Sequence, residues 1–465
     1  MGMMSYAGVP YTTAKELYGV SESYYSELQS DAEKTLDMII AIKEQPCTVI
    51  LLTQQFIERC VAALLVICGV PIERITEFFE EVFHYHISKG TIHNIQKRAS
   101  GKARFIDMRI TLEFIKYVAM DEIFQHGRPV LTGVDLETQY VFIMEETPDR
   151  TGSTWESALN EKKASGLNPI VCVSDSGSGL QKGIPAAYPG ITMQLDVFHA
   201  LRDVGVHVNR QERRGISLLS ELCTLERKIN GVKVHRKTIK RYGELSATID
   251  NTLQRTDTLC ILYGWLKELT DFSGYGYAKS LSLCTWILDE MSALFPESKK
   301  FQKALSSFRN RLPDILRFLR RLQDNLKDTA AQKDIAVHDL MLLYNQRAYS
   351  AYSERNAAIE KRIFHRLGTR MLEARDILHD TIQITFRASS MIENVNGRLR
   401  CYMNRKRDLS GDFLDLLKLY FNTRKSRRPA NKSWTGTSAL DRMTGCDNPS
   451  FLDMLYGPPD YIIGK

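Results

Sequence analysis

The sequence predicts a helix-rich α/β protein in which an α/β core is interrupted by an all-α segment. From about residue 129 to 207, short β-branched runs alternate with helix-sized segments, which indicates parallel strands joined by crossovers. From 208 to 385 the apolar spacing is helical throughout, without a repeat period. A chain of 465 residues is also too long for one ordinary core, so we expect several domains.

Composition narrows the class of protein. The chain is 43% hydrophobic and 25% charged, as in soluble globular proteins, and it contains no apolar run of roughly 20 residues. The first residues lack the basic and apolar regions of a secretory signal, and nine scattered cysteines without a CxxC pair fit a reducing compartment. We therefore expect a cytoplasmic protein without a membrane partner. The net charge of +7 is a mild indication of an anionic partner.

A helix-turn-helix is predicted within residues 51–106. An apolar-faced helix ends near Gly69, Pro71 stands at the start of a second helix, and KGTIHNIQKRASGKAR forms a third with a basic exposed side. On pattern alone, an ordinary helical hairpin with a solvated basic face is about equally consistent. The candidate DNA contacts on this helix are Lys89, His93, Asn94, Lys97 and Arg98.

Three aspartates follow predicted strands. Asp175 ends VCVSD and Asp196 ends ITMQLD, and polar residues at the carboxyl ends of parallel strands face the ligand crevice. Asp135 ends an earlier run, where a simple turn-forming aspartate is the alternative. Residues 107–128, just before this region, are predicted to be a helical connector.

The basic charge is concentrated near the end of the chain. Residues 397–432 contain eleven Lys or Arg and three Asp, a local charge of +8, with Tyr402, Tyr420 and Trp434 interleaved or close by. This pattern favours nucleic-acid binding over a solvated charged tail. The predicted segments are therefore 1–50 (helical), 51–106 (helix-turn-helix), 107–128 (connector), 129–207 (core, first part), 208–385 (all-α insertion), 386–432 (core, last part, with basic helices) and 433–465 (C-terminal tail).

Several motifs resemble those of prokaryotic insertion-sequence transposases of the DDE type. They are GVDLETQYVF, VCVSDSGSGLQKGIPAAYPG, QLDVFHALRDV with its Asp-x-x-His element, ENVNGRLRCYMNRKRDLSGDF and the helix-turn-helix GVPIERITEFFEEVFHYHISKGTIHNI. The resemblance implies a mixed-sheet core of the ribonuclease-H-like type, with the α-helical block inserted between the second aspartate and the glutamate. It also implies a catalytic triad of Asp135, Asp175 and Glu393.

Three carboxylates suit metal-dependent phosphodiester chemistry. Two Mg²⁺ or Mn²⁺ ions roughly 3.5–4 Å apart can activate the attacking oxygen and stabilise the leaving oxygen, and hard cations take oxygen ligands. Asp196 competes with Asp175 for the second position, and Asp175 is preferred because it lies in a Gly/Ser turn. Asp196, His199 and Asn396 are then expected to support the metal ligands. Further candidate DNA contacts are Arg398, Arg400, Arg405, Lys406 and Arg407.

The resemblance implies a DNA transposase that binds element ends and catalyses strand cleavage and transfer. One expected partner is double-stranded DNA, both as element ends and as target. The chain is also expected to form a dimer or a larger homo-oligomer, and to be associated with the nucleoid. No GxxxxGK[ST] pattern occurs in the sequence, so no nucleotide cofactor is expected. Two alternatives remain: a ribonuclease-H-like nuclease without strand transfer, and a non-catalytic DNA-binding regulator derived from a transposase.

Overall fold

The computed structural model describes residues 10–43, 49–231, 234–406, 409–429, 431–459 and 462–463. The chain divides into two compact units, one made of residues up to 99 together with those from 449 onward, and one of residues 100–448. No helix among these described residues is long and apolar enough to cross a membrane.

The first unit is helical at its amino-terminal end. Its elements are α1 (Tyr11–Tyr18), α2 (Glu22–Lys43), strand β1 (Val49–Ile50), α3 (Gln54–Ala62) with a π-helical continuation (Ala63–Ile67), α4 (Ile72–Phe83) and α5 (Lys89–Met108), which runs on into the second unit. Helix α4 begins directly after Pro71, as predicted, because proline has no amide hydrogen to lose at a helix start. Ile75 and Phe79 are buried on its inner face.

A mixed five-stranded sheet forms the centre of the second unit. Its elements are β2 (Tyr117–Gln125), β3 (Arg128–Asp135), β4 (Val141–Glu146), α6 (Gly152–Ala164), β5 (Val171–Ser174), α7 (Ser178–Ala187) and β6 (Thr192–Leu195). The strand order is β4-β3-β2-β5-β6. Strands β2, β3 and β4 are antiparallel neighbours, whereas β5 runs parallel to β2 and β6 parallel to β5. The predicted parallel arrangement therefore holds for one side of the sheet.

The central strand β2 lies inside the segment that was predicted to be a helical connector. Residues 118–120 are all fully buried, because this strand is covered on both faces. A strand buried on both faces does not alternate apolar and polar residues, which removes the periodic signal of a half-exposed strand. The core thus begins before residue 129, and this correction moves an additional pair of acidic residues, Asp121 and Glu122, into the sheet.

Helix α7 packs unusually close to α6, and two glycines permit it. A Cβ atom on Gly179 would lie 1.9 Å from the main-chain oxygen of Arg150, and one on Gly183 would lie 2.5 Å from that of Gly152. The buried Trp155 fills the space between the helices. These glycines serve helix packing, and the packing holds the start of α7 in place just after Asp175.

Eight long helices follow the sheet, in the region predicted to be an all-α insertion. They are α8 (Val197–Ile229), α9 (Arg236–Leu269), α10 (Tyr277–Leu294), α11 (Lys299–Ile315), α12 (Arg317–Lys333), α13 (Val337–Gln346), α14 (Glu354–Leu367) and α15 (Met371–Gln383). They share one apolar core. Gln194 of β6 attaches this core to the sheet edge by donating to the main-chain oxygen of Ile315 at 3.0 Å.

Three more helices follow in the second unit, and the first two of them pack on the sheet. They are α16 (Ser390–Arg405), α17 (Gly411–Thr423) and α18 (Ala439–Thr444). Asn422 of α17 closes the edge of β4, because its amide accepts from the Val141 N–H at 2.7 Å and donates to the Val141 carbonyl at 2.9 Å. Covering an edge strand in this way prevents its pairing with another chain.

The predicted C-terminal tail contains regular structure as well. Besides α18 it includes α19 (Phe451–Tyr456) and strand β7 (Ile462–Ile463), both in the first unit. Arg59 of α3 forms an ion pair with Asp453 of α19 at 2.7 Å, and β7 pairs antiparallel with β1.

Candidate active site

The candidate site lies where β2 and β5 run side by side. Met120 is paired with Ser174 in the parallel register, so the next residue along each strand places Asp121 beside Asp175. Asp121, Glu122 and Asp175 can each offer one carboxylate oxygen, and these atoms lie within 4.8 Å of one another. The sheet therefore brings two strands' acidic residues to one point.

Electrostatics at this point disfavour three negative charges. Burial raises the pKa of Asp121 to about 7, and the charges of Asp175 and Glu393 act in the same direction. Burial also raises the pKa of Glu122, although Trp155 Nε1 donates a hydrogen bond to its Oε1 at 3.1 Å. A divalent cation would remove this repulsion.

Helix α16 supplies two further polar side chains over the strands. Asn396 is fully buried, and its Nδ2 donates to Asp121 Oδ2 at 2.7 Å. Thr132 Oγ1 lies 3.1 Å from Asn396 Oδ1, which orients the amide group with its donor toward Asp121. Glu393 stands one turn earlier on the same face of α16, as its spacing of three residues requires.

His199 connects Glu393 to the start of α8. Its Nε2 lies 3.1 Å from Glu393 Oε1, and its Nδ1 lies 3.1 Å from Asp196 Oδ2. The contact with Asp196 raises the pKa of His199 against the opposing effect of burial. The imidazole is therefore held between two carboxylates, which is an arrangement that orients Glu393.

Asp196 is occupied by protein donors. Its Oδ1 accepts the amides of Phe198 at 2.6 Å and His199 at 3.1 Å, which caps α8, and its Oδ2 accepts the amide of Ser389 at 3.0 Å and the Ser389 hydroxyl. Burial opposes ionisation, yet the contacts with His199 and Ser389 hold the pKa of Asp196 below its ordinary value. Of the two competing aspartates, Asp175 is thus the one beside other carboxylates.

The structure does not bring Asp135 to this group. Asp135 is paired with Val118, three residues before Asp121 on β2, and a strand rises about 3.3 Å per residue. The reason is strand direction, since β3 is antiparallel to β2 and ends at the level where the parallel β5 begins. Asp135 Oδ2 instead accepts the Thr138 amide at 2.9 Å within the turn to β4.

The candidate DNA-contacting residues of α16 and of the segment that follows it have different neighbours. Arg400 Nη1 lies 3.8 Å from Glu393 Oε2, which places its charge at the site. The charged groups of Arg398 and Lys406 lie over the rings of Phe421 and Phe413, at 4.3 and 3.8 Å. Arg405 is exposed, whereas Arg407 lies outside the described residues.

The five candidates on α5 are all exposed, as the predicted basic face requires. Two of them form ion pairs within the first unit. Lys89 Nζ lies 3.3 Å from Glu73, and Arg98 Nη2 lies 2.7 Å from Glu58. His93, Asn94 and Lys97 complete the face.

Asp121 and Glu122 are the acidic residues that the sequence interpretation did not select. A sequence signal was present in the dipeptide His126-Gly127, because glycine favours tight turns, and in the structure both residues have positive φ, at 49° and 84°. A two-residue turn of this kind joins two strands of a hairpin. It predicts that the segment YVAMDEIFQ before it is a strand, with an acidic pair in its middle.

The residues present fit a hard divalent cation. Asp121, Glu122 and Asp175 offer oxygen atoms at a common point, and Glu393 contributes to the field at Asp121. Carboxylate oxygens are the ligands that Mg²⁺ and Mn²⁺ prefer. The neighbouring Asn396 and His199 orient two of these carboxylates, as outer partners of metal ligands do.

Comparison with known proteins agrees with the motifs. Residues 52–259 match the family described as transposase, Mutator family. The predicted resemblance to insertion-sequence transposases is confirmed. The part of the chain that matches this family includes Asp121, Asp175, Asp196 and His199, and it ends before Glu393.

A curated relative shows the same similarity. The chain is 23% identical over 209 residues to the transposase for insertion sequence element IS905 of Lactococcus lactis subsp. lactis (strain IL1403). The alignment covers 42% of this chain and 53% of that protein, so the chain spans about half the length of the curated relative it matches.

His199→Ala tests whether this histidine positions Glu393. We expect the Mg²⁺ or Mn²⁺ concentration that gives half of the maximal thermal stabilisation to rise by about 10- to 100-fold, as for loss of an outer partner of a metal ligand. The matched control is His207→Ala on the same helix, which contacts Phe301. If both variants change the Mg²⁺ requirement equally, His199 does not position Glu393.

Proposed function

We propose that the chain is a DDE-type transposase whose triad consists of Asp121, Asp175 and Glu393. The observation that carries the proposal is the meeting of Asp121 and Asp175 on adjacent parallel strands, beside a glutamate that His199 holds. Asp121 replaces Asp135 in the predicted triad, because Asp135 lies about three residues further along the sheet.

The strand order supports a ribonuclease-H-like core. Three antiparallel strands followed by two parallel ones form a mixed sheet, and the helical insertion enters between Asp175 and Glu393. Both features agree with the core that the resemblance implies. Helices α4 and α5 are our candidate helix-turn-helix for binding element ends, with the exposed face from Lys89 to Arg98 toward DNA.

Each side chain around the site has a separate task in this proposal. Asp121 and Asp175 would hold the cation together with Glu393, whose charge acts on Asp121, and Glu122 would be a further available ligand. Bound Mg²⁺ or Mn²⁺ would supply the Lewis acidity that phosphodiester cleavage and strand transfer need. Asn396 orients Asp121, His199 with Asp196 orients Glu393, and Arg400 places a positive charge where a DNA phosphate would approach.

The partners follow from this chemistry. Double-stranded DNA is the substrate, both as element end and as target, and bringing two ends together requires at least two copies of the chain. The name of the curated relative, a transposase for an insertion sequence element, agrees with this proposal.

The deciding experiment uses a linear DNA that carries the repeats flanking the gene of this protein. Purified full-length protein is incubated with this DNA, a target plasmid, and Mg²⁺ or Mn²⁺. We expect cleaved ends and ends joined to the plasmid, both absent with Asp175→Asn. Nicks without joined products would instead indicate a nuclease. DNA binding without any cleavage would indicate a regulator.

A further inference from the structure

Two cavities lie beside α16 in the second unit, and together they form what we name the α16 trough. Their volumes are about 660 and 750 Å³, within the roughly 300–1,000 Å³ of typical ligand pockets. Both are lined by Gln139, Asn394, Asn431 and Trp434, so they adjoin along these residues. None of the three proposed catalytic carboxylates lines either cavity.

One end of the trough is strongly basic. No acidic residue lines the smaller cavity, and its basic lining residues are Arg398, Arg424, Lys425, Arg427 and Arg428. Arg398 Nε is a buried donor that has no hydrogen-bond partner among the described residues. Burial and the neighbouring Arg424 lower the pKa of Arg398 to about 10. An anion in this cavity would satisfy the donor and relieve the repulsion between the guanidinium groups.

The other end of the trough is partly apolar and aromatic. The apolar residues that line the larger cavity are Leu136, Ile384, Phe386 and Met391, beside the shared Trp434, and its one acidic lining residue is Glu137. The guanidinium of Arg442 lies 4.5 Å from the centre of the Trp434 ring, which anchors the indole at the junction of the two cavities. An aromatic wall between an anion site and an apolar space suits a nucleotide, because every base has a face that can stack.

Residues of α16 that line the trough follow Glu393 closely along the same helix. Asn394 follows Glu393 directly, and Arg398 lies five residues after it. Successive residues of a helix are turned by about 100°, so the trough opens on the face adjacent to the one that carries Glu393. A DNA strand that crosses the carboxylates would therefore pass along the same helix as the trough.

We propose that the α16 trough holds one unpaired nucleotide of the DNA strand being processed. Its phosphate is bound by Arg398 and Arg424, and its base stacks on Trp434. This inference rests on the proposed function and defines its substrate more closely. A closed duplex presents its phosphates outward and keeps its bases paired, so it would use the basic end alone.

The test compares two DNA probes with full-length protein in EDTA. One is a duplex with a short single-stranded thymidine overhang that contains 2-aminopurine, and the other is a blunt duplex of equal length. We expect Trp434→Ala to weaken binding of the overhang probe by about 5- to 150-fold, the loss of one stacked base, and to leave the blunt probe unchanged. Trp434→Phe should retain most of the affinity and the change in 2-aminopurine fluorescence.

Trp286→Ala is the matched control. Trp286 is 47% exposed and stacks on Trp265 in the insertion, outside the trough, so its removal should change neither probe. Thermal melting of each variant shows that it is folded. Equal losses for both probes, or no loss with Trp434→Ala, would overturn the proposal. Because no metal is present, failure of strand transfer would count against the proposed function and not against the trough.

Discussion

Asp121→Asn is expected to reduce DNA strand cleavage by more than about 100-fold. Removing a residue that only contacts a metal ligand typically lowers activity by roughly 10- to 100-fold. Removing a ligand itself should lower it further. The substitution keeps the side-chain size and the oxygen that can accept from Asn396, but it removes the negative charge beside Asp175. The measurement is single-turnover cleavage of end DNA at saturating Mg²⁺.

Asp135→Asn is the matched control for that experiment. Asp135 is also a buried aspartate of the same sheet, and burial raises its pKa as well. Its carboxylate is bound by Thr138 and by main-chain amides of the turn after β3, so the variant should cleave DNA at nearly the normal rate. A folded Asp135→Asn protein without activity, beside an active Asp121→Asn protein, would restore Asp135 to the catalytic triad.

The contrast between these two aspartates shows where sequence interpretation was limited. Asp175 follows a parallel strand, and its position at the carboxyl end of β5 could be predicted from the βαβ pattern alone. Asp135 also ends a strand, but a local pattern does not reveal whether that strand is parallel or antiparallel to its neighbour. Strand direction is decided by pairing between distant residues, and here it places the two ends about three residues apart.

The positions of Asp196, His199 and Asn396 were predictable for a different reason. Asp196, His199 and Asn396 belong to motifs in which short spacing places side chains on one helix face or at one helix start. Such local geometry is encoded in neighbouring residues. What the spacing could not provide is the partner of each group: the Asn396 amide faces Asp121, and His199 faces Glu393.

The helical insertion was the part of the fold with the strongest sequence signal. Its helices bury one apolar stripe each, so the period of 3.6 residues is preserved over long segments. Strand β2 gave no such signal because residues on both of its faces are buried. The strand that contains Asp121 therefore shows no alternation of apolar and polar residues, because it lies in the centre of the sheet.

Asp121→Asn should increase the stability of the metal-free protein, although it reduces DNA cleavage. In the unfolded chain Asp121 ionises near its ordinary pKa of 3.8, whereas in the folded protein burial and the charges of Asp175 and Glu393 raise that pKa to about 7. The folded state thus binds the proton more tightly, and the contribution of Asp121 to stability falls as pH rises from about 4 to 7. Above pH 7 the deficit is roughly 4 kcal/mol at most.

Asp121→Asn removes this deficit, so in EDTA we expect the variant to be more stable than the natural protein by up to roughly 4 kcal/mol at pH 8 and by only about 1 kcal/mol at pH 4.5. Urea unfolding at both pH values measures the difference, and comparing the two proteins cancels contributions from other titrating groups. Mg²⁺ should stabilise the natural protein more at pH 8 than at pH 6, because the cation competes with the proton on Asp121, and should hardly affect the variant. A variant less stable than the natural protein in EDTA at pH 8 would mean that neither burial nor the neighbouring carboxylates disfavour ionised Asp121, so that no cation is needed to offset its charge.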